Sequence, residues 1–139
     1  MQVHASCAAR DGDGVLLLGA PGAGKSDMVL RLIEHGFVLV ADDRVEIEDG
    51  CARPAEGLAG LLEVRGLGIC RLPHLAPARL RLAVCLGPVA GRLPLPARHP
   101  APDLPLVTVD PTRASAARAV VLALDCALGR VAQVAGAFA

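Results

Sequence analysis

The stretch Gly19–Ser26, which reads GAPGAGKS, constrains this chain more than any other, because it fits the phosphate-binding pattern G-x-x-x-x-G-K-[ST]. An apolar run at 15–18 precedes it, and a segment with helical spacing of apolar residues, 27–35, follows it. Glycines let the loop turn its backbone N–H groups toward an anion at the start of a helix. An ordinary glycine-rich turn is the alternative, but the flanking strand and helix favour a P-loop that binds the phosphate tail of a nucleotide.

Two side chains of the loop are predicted to contact the ligand directly. Lys25 is expected to reach the β- and γ-phosphates, and the Ser26 hydroxyl is expected to ligate Mg²⁺. The other loop residues are predicted to surround the phosphates with backbone, and they are Gly19, Ala20, Pro21, Gly22, Ala23 and Gly24.

Composition narrows the class of protein further. A chain of 139 residues fits a single domain, 1–139, and its formal charge is zero with no basic run, so neither nucleic acid nor an anionic membrane is indicated as a partner. No signal peptide is recognisable at the start, and the apolar segment 114–139 is interrupted by three charged residues. Five scattered cysteines beside a P-loop favour reduced thiols and a cytoplasmic location.

His4 lies well before the P-loop, but a predicted hairpin brings it near. Two extended stretches, 3–9 and 15–18, are joined by Asp-Gly-Asp-Gly, which is a strong turn signal. Paired residues in a hairpin have numbers with a constant sum, here 23 to 25, so His4 would face one of residues 19–21. It is then either a solvated side chain without a role or a group that handles protons or charge at the phosphate.

Two adjacent acids, Asp42 and Asp43, follow the apolar run 37–41. A buried strand that ends in a carboxylate just after a P-loop helix is typical of a Walker B element, which serves Mg²⁺ or the attacking nucleophile. The alternative is a polar turn before the next strand, predicted at 44–48.

Glu63 and Arg65 lie in a predicted strand within 61–69, where alternate residues share a face. They could form a simple ion pair, or they could serve Mg²⁺ and a phosphate oxygen. The residues alone leave both readings open.

The rest of the chain predicts a fold in which hairpins outnumber β-α-β crossovers. Residues 51–60 are expected to form a loop or short helix, 88–105 a mobile Pro-rich loop, and 80–86 and 106–109 strands. Asp110 is predicted to cap a terminal helix. That helix would bury one face, made of Val120, Val121, Leu124, Leu128 and Val131. We therefore predict an α/β domain with a mixed, largely antiparallel sheet and flanking helices.

Four elements, in this order, resemble the C-terminal catalytic domain of the HPr kinase/phosphorylases: His4, the P-loop, Val40–Ile47 (VADDRVEI) and Leu62–Ile69 (LEVRGLGI). The resemblance covers about residues 3 to 70. It implies a P-loop domain of the phosphoenolpyruvate carboxykinase-like type. The chain is most similar to short, alphaproteobacterial-type members, which are expected to lack the N-terminal domain of full-length relatives.

The resemblance implies transfer of the γ-phosphoryl group of ATP, with Mg²⁺, to a serine of the phosphocarrier protein HPr. Asp42 then corresponds to the general base and His4 to its neighbour, with Lys25 also catalytic. Arg65 corresponds to a phosphate-binding residue. Three residues fall where the family handles the metal: Ser26, Asp43 and Glu63.

The segment 70–79 departs from the family pattern, and the Pro-rich stretch replaces a basic loop that the family uses in phosphorolysis. Kinase activity without phosphorylase activity is therefore expected. Full-length relatives are hexamers, which suggests a homo-oligomer. Two other functions fit a P-loop: a non-catalytic, ATP-sensing regulatory domain, and a small-molecule kinase of the shikimate or gluconate type.

Overall fold

The computed structural model describes residues 1–139, and nine of its eleven strands form one mixed sheet. The strands are β1 (Gln2–Val3), β2 (Ser6–Arg10), β3 (Asp13–Leu18), β4 (Val38–Ala41), β5 (Val45–Glu48), β6 (Cys51–Pro54), β7 (Leu61–Val64), β8 (Gly68–Arg71), β9 (Ala78–Leu86), β10 (Ala97–Pro100) and β11 (Asp103–Val109). The two helices are α1 (Lys25–Ile33) and α2 (Ala116–Ala127).

The large sheet has the order β1-β5-β6-β9-β3-β2-β4, and β11 pairs with the last residues of β9 and with β10. Only the pairs β3–β9 and β9–β11 are parallel, so the sheet is mixed and largely antiparallel, as predicted. Because those three strands run the same way, their carboxyl ends meet at one edge of the sheet. The P-loop follows β3 at this edge, where ligands of open α/β sheets bind. Kinases of the shikimate or gluconate type normally have a parallel sheet instead.

The sheet has a buried cluster on each face. The first contains 18 residues, among them Leu82 and Val84 of β9, and it joins both helices to the strands. The second contains 13 residues, none of them helical, so the strands themselves enclose it. Cys7 belongs to this second cluster, and burial raises the pKa of its thiol to about 12, so it is an inert apolar residue.

The hairpin that was predicted to precede the P-loop is present. Ser6 pairs with Leu17, so the paired numbers add to 23, within the predicted range. The turn places Asp11 and Gly12 at positive φ, as the Asp-Gly signal requires.

Three predictions about the connections are wrong. Part of 51–60 is strand β6, and the Pro-rich stretch 88–105 contains β10 and the start of β11. Asp110 does not cap the terminal helix, which begins after Ser115. Instead, the Asp110 carboxylate accepts hydrogen bonds from the hydroxyl and the backbone N–H of Thr112, and these bonds lower its pKa.

No helix of the structure has both the length and the apolar character needed to cross a membrane.

One ion pair joins α2 to the sheet, and its removal should lower the free energy of unfolding by a measurable amount. Arg10 Nη2 of β2 lies 2.5 Å from Asp125 Oδ1, both side chains are mostly buried, and the Arg10 guanidinium carbon lies 5.6 Å from the centre of the Phe37 ring. Asp125→Ala leaves that guanidinium without its anion, so we expect the free energy of unfolding to fall by about 1–2 kcal/mol. Urea titration measures this change.

Asp103→Ala is the matched control, because the pair of Asp103 with Arg98 is exposed on both sides. Exposed pairs contribute about 0–1 kcal/mol, so this variant should unfold close to the wild type. Equal losses of unfolding free energy in Asp125→Ala and Asp103→Ala would show that burial of the pair of Arg10 with Asp125 adds nothing to stability.

Candidate active site

The P-loop begins with a glycine that cannot be replaced without moving the backbone. A Cβ atom at Gly19 would lie 2.9 Å from the Ala23 Cβ and 3.2 Å from the carbonyl oxygen of Leu86 at the end of β9. Gly24, with φ of 101°, precedes the first residue of α1 in a left-handed conformation that favours glycine. The loop therefore curls tightly against the ends of β3 and β9.

Lys25 opens the helix and is held by the loop itself. Its buried side chain places Nζ 2.8 Å from the carbonyl oxygen of Gly19 and 3.2 Å from that of Ala20. An ammonium group has three protons, and these two contacts use two of them. The third remains for an anion at the loop, and the contact of Lys25 with a phosphate stays a prediction.

Asp42 is buried, with 7% of its surface exposed, and it connects three elements. Its Oδ1 accepts hydrogen bonds from the hydroxyls of Ser26 and Ser6, each at 2.7 Å. Its Oδ2 accepts a longer bond, 3.3 Å, from the backbone N–H of Glu63. Sequence reasoning missed Ser6, and the available signal was only a polar residue at the start of the apolar stretch 6–9.

The Asp43 side chain points in a different direction from that of Asp42. The backbone of Asp43 is left-handed, with φ of 69°, and this turns the chain between the two residues. Its side chain is 59% exposed, and Oδ1 lies 3.4 Å from His4 Nε2. His4 therefore contacts Asp43, and the predicted pairing of His4 with Asp42 is wrong. A second cation, Arg44, has Nε 3.9 Å from Asp43 Oδ2.

These groups surround a cavity of about 380 Å³. Most of the predicted site residues line it, and they are His4, Pro21, Gly22, Gly24, Lys25, Ser26, Asp43, Glu63 and Arg65. Four more line it that were not predicted, namely Ser6, Asp27, Leu30 and Val64. Four predicted residues do not line it: Gly19, Ala20, Ala23 and Asp42. The last of these lies behind Ser26, to which it is hydrogen-bonded.

Glu63 and Arg65 both line the cavity, but they belong to different secondary-structure elements. Glu63 lies in β7, whereas Arg65 lies in the turn before β8, so the prediction that both occupy one strand face is wrong for Arg65. No ion pair joins them, since the six ion pairs of the molecule involve other residues. Both side chains are therefore free to face a ligand in the cavity.

Oxygen donors suitable for Mg²⁺ occur together at Ser26 and Asp42. No three carboxylate, imidazole or thiol groups converge as a preformed metal cluster. Mg²⁺ does not require one, because it is usually bound by one or two carboxylates, waters and the phosphates of the substrate. The contact between the Ser26 hydroxyl and the Asp42 carboxylate fits that pattern.

Comparison with known proteins gives concordant results. A family model described as the HPr serine kinase C-terminal domain matches residues 1–75. The HPr kinase/phosphorylase of Streptococcus thermophilus LMD-9 is 41% identical over 87 residues, which cover 54% of this chain and 28% of that protein. The corresponding protein of Lactococcus lactis IL1403 is 48% identical over 63 residues, covering 42% of this chain and 20% of that protein. The chain thus spans about a quarter of the length of the curated relatives it matches.

A solved structure shows the same fold. The HPr(Ser) kinase/phosphatase structure from Coxiella burnetii superposes with a TM-score of 0.75 at 22% identity, and the match covers 93% of this chain and 92% of that one. The structural likeness therefore extends well beyond residue 75.

Proposed function

The chain belongs to the HPr serine kinase C-terminal domain family, and on that premise we propose that it transfers the γ-phosphoryl group of ATP, with Mg²⁺, to a serine hydroxyl of HPr. One observation carries the proposal: the P-loop lysine and an exposed carboxylate, Asp43, open into the same cavity. A phosphoryl donor and a hydroxyl acceptor need those two groups close together, because this reaction depends mainly on positioning and charge stabilisation. A regulatory domain that only senses ATP would not need the second group.

We propose that Asp43 is the general base, the role that the family resemblance implied for Asp42. A base must reach the acceptor hydroxyl through hydrogen-bond contact, and Asp43 faces the cavity whereas Asp42 is buried. The oxygens of Asp42 already accept three hydrogen bonds from the protein. Its carboxylate is therefore poorly placed to take a proton from a substrate.

Asp42 and Ser26 are then the residues that would hold Mg²⁺, and the metal would supply positive charge against the phosphate oxygens. The hydroxyl of Ser6 and the N–H of Glu63 fix the orientation of the Asp42 carboxylate. The Glu63 side chain itself faces the cavity, where it offers a further oxygen donor.

The remaining polar groups assist the transfer. Lys25 places its charge beside the transferred group, and Arg65, which also lines the cavity, offers a second cation. His4 contacts the Asp43 carboxylate and so orients it toward the acceptor hydroxyl. Lys25 and Arg65 thus stabilise the charge that develops during transfer, and His4 assists removal of the proton from the serine.

Transfer of labelled phosphate tests the proposal. The purified chain, incubated with Mg²⁺, [γ-³²P]ATP and HPr, should label HPr on serine, and chelation of Mg²⁺ should abolish the label. Binding of ATP is measured in parallel by calorimetry. A folded chain that binds ATP and leaves HPr unlabelled would contradict the proposal.

A further inference from the structure

The hairpin of β7 and β8 forms a separate two-stranded sheet beside the cavity. Leu62 pairs with Cys70 on its inner face, where Leu62 is fully buried. Glu63 pairs with Ile69, and side chains of directly opposed residues project from the same face. Ile69 therefore stands next to Glu63, which itself lines the cavity.

Three exposed apolar side chains lie on the cavity lining or next to residues that form it. Leu30 of α1 lines the cavity and is partly exposed. Ile69, 72% exposed, is paired with the lining residue Glu63, and Leu67, 76% exposed, follows the lining residue Arg65 by two positions in the hairpin turn. We call Leu30, Leu67 and Ile69 the rim cluster. Single exposed aliphatic residues are common on protein surfaces, but three around one polar cavity are a feature to explain.

We propose that the rim cluster is the docking surface for the protein that carries the acceptor serine, and that it contacts apolar side chains beside that serine. The inference rests on the proposed function. The rim cluster lies apart from the catalytic groups, and it would allow the enzyme to recognise a folded protein as the acceptor.

The position of the rim cluster beside the cavity favours the protein that carries the acceptor serine as its occupant. A serine on a folded protein can reach Asp43 only if the surrounding surface lies against the residues at the cavity opening, and the rim cluster consists of one lining residue and two exposed neighbours of lining residues. Apolar contacts that surround a polar centre would exclude water from the transferred phosphoryl group. The phosphates of a nucleotide, by contrast, are matched to the P-loop and gain nothing from exposed leucine and isoleucine.

The folding of the chain does not need these side chains. Ile69 and Leu67 belong to neither buried cluster, and neither is among the partly buried residues that pack against those clusters. Ile69→Ser and Leu67→Ser should therefore leave stability unchanged, and because neither residue lines the cavity, they should also leave ATP affinity unchanged.

The test compares Ile69→Ser with Leu95→Ser, and each variant is assayed for HPr binding by calorimetry and for labelling of HPr. Leu95 is 85% exposed in the Pro-rich stretch and does not line the cavity, so it controls for loss of an exposed apolar side chain. We expect Ile69→Ser to raise the dissociation constant for HPr by about tenfold, as truncation of an interface anchor does, with ATP affinity unchanged. Leu95→Ser should match the wild type. Leu67→Ser is a second variant with the same expectation as Ile69→Ser.

The outcomes separate this inference from the proposed function. Equal HPr binding by wild type, Ile69→Ser and Leu67→Ser overturns the docking surface, even if HPr is labelled. Weaker binding by Ile69→Ser supports the surface even if HPr is never labelled, a result that would contradict the kinase proposal instead. A change in molecular mass by sedimentation in Ile69→Ser, with HPr binding unchanged, would assign the rim cluster to contacts between copies of this chain and overturn the inference.

Discussion

Asp43→Asn should lower the turnover number for phosphoryl transfer by about 10²–10⁴-fold, the range expected for loss of general-base catalysis. The amide has the same shape as the carboxylate but cannot accept the serine proton. Because Asp43 is 59% exposed and makes no buried contact, the variant should fold normally. Its affinity for ATP should also remain close to that of the wild type, which calorimetry can confirm.

Asp42→Asn is the matched comparison at the neighbouring position. Its carboxylate lies against Ser26, so its loss should weaken Mg²⁺ binding and raise the Mg²⁺ concentration required for half-maximal rate. Transfer rates measured across a Mg²⁺ titration distinguish the two variants. If excess Mg²⁺ restored Asp43→Asn and failed to restore Asp42→Asn, the roles would be those that the family resemblance implied.

The different surroundings of these two acids show what the sequence does not predict about the site. The pair was recognisable because a buried strand ends in it just after a P-loop helix. The direction of each side chain depends on the left-handed φ of Asp43 and on the hydroxyl of Ser6, which belongs to another strand. Neither fact follows from the local pattern.

The hairpin before the P-loop was predictable because its turn chemistry is explicit. The Asp-Gly signal limited the pairing sum to 23 to 25, and it thereby predicted the approach of the chain start to the phosphate loop; the observed sum is 23. Residues His4 and Asp43 could not be paired in the same way, since their contact depends on β4, which lies beside β2 in the sheet.

The prediction of a loop over 88–105 relied on the high proline content of this stretch. Proline has no N–H for a ladder, so a Pro-rich stretch is ordinarily a loop. Here Pro100 ends β10, a strand at the border of the sheet, and Pro105 lies in β11 just before the residues that pair with β9. Both are positions where a strand tolerates the missing donor.

Gly19→Ala should weaken ATP binding by about ten- to hundredfold, which corresponds to roughly 1.4–2.8 kcal/mol. A Cβ there would overlap the Ala23 Cβ within the loop and approach the Leu86 carbonyl oxygen in β9. The central strand cannot yield easily, so the phosphate loop must move and its N–H groups lose their alignment. Calorimetric titration with Mg-ATP measures the loss.

A second substitution that relieves the crowding should partly rescue Gly19→Ala. Ala23→Gly removes the contact of 2.9 Å and leaves only the 3.2 Å approach to Leu86, so Gly19→Ala combined with Ala23→Gly should bind ATP more tightly than Gly19→Ala alone. A double-mutant cycle isolates that coupling from any effect of Ala23→Gly by itself. Gly12→Ala is the control for glycine loss, since Gly12 has positive φ in the β2–β3 turn and nothing near its Cβ position. It should lower stability and leave ATP affinity unchanged; additive effects at 19 and 23 would refute the crowding explanation.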